Sequence, residues 1–163
     1  MTSGPPIKQR PTAPAGGSAD GSGSGAASAA PAPRARSTKT YPDTFDGAAS
    51  LPAVASAADV GANDGAQVRL VGTYTELDAR MKQAPPPVYA GHVAIVLGDG
   101  SQVTLLPVWH KDALRPEDEI AQLRGQQVEV VGTVFKRAPA DPRGGASPIG
   151  PAIFDIKSLR ALP

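Results

Sequence analysis

Six side chains in two proline-containing stretches are of types that contact nucleic acid. They are Arg80, Lys82 and Tyr89 in the first stretch, and Lys136, Arg137 and Arg143 in the second. Guanidinium and ammonium groups neutralise phosphates. The ring of Tyr89, with Phe135 or Trp109 as further candidates, offers a face on which an unpaired base can stack. Polar loops carry Arg and Lys in any protein, so these residue types alone do not name a ligand. Pro86-Pro87-Val88-Tyr89 also matches the proline-rich segments read by aromatic grooves. The Pro85-Pro86-Pro87 run is equally suited to stiffening a loop.

Most catalytic chemistry finds no support. His92 and His110 are the only histidines and there is no cysteine. A zinc ion would need carboxylates beside both, and none stands at ligand spacing. No nucleophile-elbow pattern surrounds Ser101, since Asp99 and Val103 stand where the two glycines would be. Gly98-Asp99-Gly100 leads into strand-forming residues and not into a helix, which makes it a turn and not a phosphate cradle. No acid, base and nucleophile cluster together. The expectation is a non-enzymatic protein with no metal and no cofactor. Trp109 reads most simply as a packing residue.

Composition bounds the rest. The 163 residues include 4% aromatics, so the core is small and aliphatic. A net charge of +1 predicts neither a strong polyanion binder nor an acidic tail. The lack of cysteine excludes disulfides and thiolate metal sites. No run approaches the roughly 18 apolar residues of a membrane span. The N-terminal basic residues are not followed by an apolar core, so this stretch is not expected to act as a secretory signal, and a cytoplasmic location without membrane contact is expected.

Two regions differ in composition. Residues 1–65 are rich in Gly, Ala, Ser and Pro, with five basic and five acidic side chains. Such a segment buries too little to offset its ordering entropy, so a disordered tail is expected. Tyr41-Pro42-Asp43-Thr44-Phe45 is read as solvated linker in preference to a docking motif. Residues 51–60 could form only a short, fraying helix. Residues 66–163 form the expected domain.

In that domain, His92 to Leu106 carries a β-hairpin signal: two apolar runs around Gly98-Asp99-Gly100. With Gly100 left-handed and Leu97 facing Ser101, Ile95 faces Val103 and Val93 faces Leu105. That face is apolar. The face with His92, Ala94, Val96, Gln102, Thr104 and Leu106 is mixed and should be partly wet, because side chains alternate along a strand. Residues 68–73 and 128–133 share the pattern Val-x-Leu/Val-Val-Gly-Thr. A glycine inside each strand suggests a bulge or bend of a strongly coiled barrel. Arg115 to Gly125 has Pro116 at its start, three acids in the first turn and a terminal glycine, the signals of a short helix. Ile120 and Leu123 would dock it. Residues 153–159 give the last strand.

The order β-β-β-α-β-β, the two strand glycines and the Leu-Gly-Asp-Gly-Ser hairpin resemble the OB-fold, a five-stranded Greek-key barrel with a helix between its third and fourth strands. The chain also resembles bacterial proteins in which a low-complexity tail precedes an OB-like domain, a likeness that carries over no functional residue. The OB resemblance implies a ligand across strands two and three, between the loops that hold Arg80, Lys82 and Tyr89 and Lys136, Arg137 and Arg143. Single-stranded DNA or RNA is the partner this implies. The alternative is a protein-interaction module tethered by the tail.

Overall fold

The computed structural model describes residues 4, 35–77, 91–144 and 150–163. The chain divides into two units, Met1–Ala32 and Pro33–Pro163. Among the described residues, every strand and α-helix lies in the second unit.

The order is β1 (Ala53–Val54), α1 (Ala57–Ala62), β2 (Gln67–Glu76), β3 (Val93–Val96), β4 (Gln102–Leu105), α2 (Glu117–Leu123), β5 (Gln127–Phe135) and β6 (Ala152–Ala161). Strands β2 to β6 close a barrel in the order β2-β3-β4-β6-β5, with β5 returning to β2. Within the barrel all pairs are antiparallel except β4 with β6. This is a mainly β, closed five-stranded barrel, consistent with the OB-like architecture that the element order implies. Its core is aliphatic, with Leu70, Ile95, Leu105, Val130 and Ile153 fully buried.

The hairpin has the expected register. Ile95 pairs with Val103, the Leu97 N–H donates to the Ser101 carbonyl at 2.8 Å, and Gly100 has φ 82°. Val93, Ile95, Val103 and Leu105 are buried together. On the other face Gln102 is exposed and Thr104 half-buried, but His92 and Ala94 are also buried. That face is drier than the pattern suggested.

The twin segments pair with each other. Val68 lies opposite Gly132, Leu70 opposite Val130 and Gly72 opposite Val128. A Cβ on Gly72 would meet the Val96 carbonyl oxygen at 2.4 Å, and one on Gly132 would meet the Phe154 carbonyl oxygen at 2.6 Å. The glycines therefore serve close backbone approach. Gly132 also sits at the register shift between Val131 and Thr133, opposite the bulge of β6.

Helix α2 buries Ile120 and Leu123, and Gly125 ends it at φ 77°. Pro116 is its N-cap, one residue before the position the sequence suggested.

The largest departure is upstream of residue 66. The compact unit begins at Pro33, so residues 35–65 do not belong with the disordered tail to which composition assigned them. Strand β1 adds in parallel to β2, where Ala53 pairs with Arg69. The helix lies at Ala57–Ala62 and not within 51–60. Ser56 caps it by accepting from the Asp59 N–H at 3.2 Å, while Asp59 accepts from the Ser56 hydroxyl and the Ala55 N–H. Val54 and Val60 are buried in the core cluster and Tyr41 packs against it. The Pro42 carbonyl accepts from the Leu159 N–H at 3.0 Å and covers part of the β6 edge. A few anchors at wide spacing order this strap, which is why its average composition hides it.

Candidate nucleic-acid interface

The site is built from the connection after β4 and the loop after β5. Strand β4 ends at Leu105 and is followed by Leu106, a buried leucine in left-handed backbone at φ 64°. Such a conformation costs about 1–3 kcal/mol, which surrounding packing must offset. The Leu106 N–H donates to the Ile153 carbonyl at 3.1 Å, which fixes it against β6. The chain then turns through Pro107–His110, closed by the His110 N–H on the Pro107 carbonyl at 2.8 Å. That turn presents Trp109 and His110.

Four half-buried rings meet there. Phe154 is at the centre, 5.5 Å from Phe135, 5.8 Å from Trp109 and 6.2 Å from His110, between ring centroids. Phe135 ends β5 and Phe154 sits on β6 just before the bulge at Asp155, whose φ is 46°. Phe135 and His110 meet Phe154 edge to face, a packing favourable beyond area alone, and Trp109 is tilted against it.

The β5–β6 loop folds back onto this cluster. The Trp109 indole N–H donates to the Pro139 carbonyl at 3.1 Å, and Arg143 Nη2 donates to the Trp109 carbonyl at 3.1 Å. Lys136 and Arg137 are exposed at the loop's start. The Lys136 backbone N–H is held by Asp64 at 2.8 Å. Arg143 is different, because Asp141 accepts from its Nε and Nη2 at 3.1 and 3.2 Å. That hydrogen bond raises its pKa, so the guanidinium stays charged, but the charge is already paired.

His110 shows the local electrostatics. Burial among the rings pushes its pKa below the ordinary imidazole value; Asp112 pulls it back, and Lys111 and Lys39 lower it further. The Asp112 backbone N–H donates to His110 Nδ1 at 3.1 Å. A neutral ring therefore carries its proton on Nε2.

Of the six expected site residues, Arg143 reaches the Trp109 carbonyl, and Lys136 and Arg137 are exposed and follow Phe135 directly in the chain. Arg80, Lys82 and Tyr89 lie outside the described residues. Phe135 and Trp109, read as further stacking candidates, belong to one cluster. Phe154 was not singled out, since in sequence it is one apolar residue in an alternating strand. Lys111 was also missed. Among the described residues no group of three or more His, Asp or Glu could hold a metal ion, and no helix is long and apolar enough to cross a membrane. Comparison with family models, curated proteins and solved structures gives no match.

Proposed function

We propose that the protein is a non-enzymatic OB-like binding module for single-stranded nucleic acid, engaged where the β5–β6 loop meets the turn after β4. One observation carries this reading: Phe135, in the half-buried ring cluster with Phe154 and Trp109, is followed directly in the chain by the exposed cations Lys136 and Arg137. Stacking rings next to a cationic track are what sequence-tolerant single-strand binding requires. The reading also agrees with the loop that OB-folds use for ligands. A net charge of +1 gives no long-range steering, so affinity comes from local contacts. The reading goes with a cytoplasmic location and needs no cofactor.

The test is binding of fluorescently labelled single-stranded DNA, single-stranded RNA and duplex DNA at low salt. Single strands are expected to bind more tightly than duplex, because only they can offer unstacked bases. No binding of any strand at low salt would reject the reading in favour of a protein partner.

A further inference from the structure

We infer that the cleft between Trp109 and the strap is a pocket for one unpaired nucleotide of a single strand, with the base on Trp109 and a phosphate on Lys111. The inference rests on the proposed function and assigns one subsite of it. The cleft has a volume of about 450 Å³, at the small end of the roughly 300–1,000 Å³ of small-molecule sites. Trp109, Val108 and Leu114 supply its apolar lining, Lys111 its charge beside the Asp141-paired Arg143, and Ala35 its outer wall. Among the described lining residues are two cations and no acid.

The charge complementarity goes further than the lining. The neighbouring acids are already engaged: Asp112 accepts from the Ser37 hydroxyl at 3.0 Å and Asp141 accepts from Arg143. Lys111 is exposed at the rim. His110 also lines the cleft and, with Nδ1 occupied, has an Nε2–H to offer a base acceptor. An anionic group with a flat aromatic body matches this set, and a nucleotide has both parts.

The strap makes the pocket. The Ser37 N–H donates to the Leu114 carbonyl at 2.7 Å and Arg36 Nη1 donates to the Arg115 carbonyl at 3.1 Å. These bonds hold Ala35 across from Trp109, so a segment that composition marks as tail supplies one side of the site.

Trp109 is the sole tryptophan, so its fluorescence reports on this pocket alone. The full chain is titrated with a ten-nucleotide single-stranded DNA, with adenosine monophosphate and with adenosine, while labelled-oligonucleotide anisotropy is read in parallel. The oligonucleotide should quench Trp109 by at least half over the concentration range in which anisotropy rises. Lys111→Ala, a surface change that leaves the ring cluster intact, should weaken that quenching curve at least threefold. Trp109→Phe should keep oligonucleotide affinity within threefold, and Trp109→Ala should lose about tenfold, the loss expected for one stacked base. Anisotropy that rises while Trp109 is unchanged would overturn the pocket and leave the proposed function standing. No change in either signal would overturn both. Quenching by the monophosphate but not by the oligonucleotide would overturn the assignment to a strand. Equal response to adenosine and its monophosphate would overturn the role of Lys111.

Discussion

The guanidinium of Arg115 lies under the ring of Tyr41, 4.7 Å from its centroid, although the two residues are far apart in the chain. Arg115 is fully buried and each of its three guanidinium nitrogens donates. Nε and Nη2 grip Glu119 at 2.9 and 2.5 Å, Nη2 also reaches the Lys39 carbonyl at 2.8 Å, and Nη1 reaches the Asp112 carbonyl at 3.1 Å. Tyr74 donates its hydroxyl to Glu119 at 2.7 Å. Burial would lower the Arg115 pKa, but the Glu119 carboxylate outweighs it and the shift is upward. Burial, reinforced by Glu119, raises that of Tyr74. Buried charges persist only when paired and hydrogen-bonded, and two of these contacts come from the strap or the ring it places.

The strap is therefore expected to be part of the folded unit. Full burial of Val54 and Val60 stabilises by roughly 1.5–3 kcal/mol each, against a typical domain stability of about 5–15 kcal/mol. Limited proteolysis should leave a resistant fragment that retains Tyr41. A chain beginning at residue 33 should melt cooperatively, and one beginning at residue 66 should be destabilised by several kcal/mol or fail to fold. Equal denaturant midpoints for the two truncations would show that the strap adds nothing to the fold.

The strand glycines give a second expectation. Ordinarily alanine suits a strand better than glycine, by roughly 0.5–1 kcal/mol. At Gly72 the new methyl would lie 2.4 Å from a backbone oxygen that cannot swing away. Gly72→Ala and Gly132→Ala should each cost about 1–3 kcal/mol in urea unfolding, the usual range for overpacking. Gly100→Ala meets no neighbour within 4 Å but has φ 82°, so it should be destabilising through backbone strain alone. Unchanged stability at both position 72 and position 132 would mean that the barrel is less tightly coiled there.

Acid should loosen the ring cluster. The His110 pKa is lowered by burial first, with Asp112, Lys111 and Lys39 as the charged groups acting on it. Between this lowered value and the unfolded value of about 6.5, the unfolded chain binds more protons than the folded one. Stability therefore rises with pH in that window. The contribution is complete above the unfolded value and falls away as pH drops toward the folded one. His110→Gln should flatten this part of the melting-temperature profile. An imidazole NMR titration with a midpoint above 6.5 would reverse the sign and refute the prediction.

The barrel was legible because its signals are local. Gly98-Asp99-Gly100 with alternating apolar flanks defines the hairpin, and the twin glycines mark the coiled strands. The strap was not legible, because Val54, Val60 and Tyr41 sit among Ala, Ser and Pro. Their partners lie further along the sequence: Leu70 pairs with Val54, and Arg115 lies under Tyr41. The cations of the β5–β6 loop could be named from sequence, but not that Asp141 pairs Arg143. Phe154 gains its meaning only from the bulge at Asp155 and from the turn that Leu106 creates. That left-handed leucine has no sequence signature.

Salt dependence of single-strand binding probes the proposed function at its root. For single strands the logarithm of the binding constant falls with log salt by roughly 0.7 per neutralised phosphate. Lys136 and Arg137 are exposed, whereas Arg143 is paired with Asp141. The double variant Lys136→Ala, Arg137→Ala should therefore reduce the slope by about 1.4, while Arg143→Ala alone should change it little. Labelled oligothymidine titrated at several salt concentrations against the parent and both variants gives these slopes. Binding at low salt, a steep parent slope and the larger loss in the double variant are expected. A parent that does not bind, or a slope unchanged in the double variant, would contradict the proposed function.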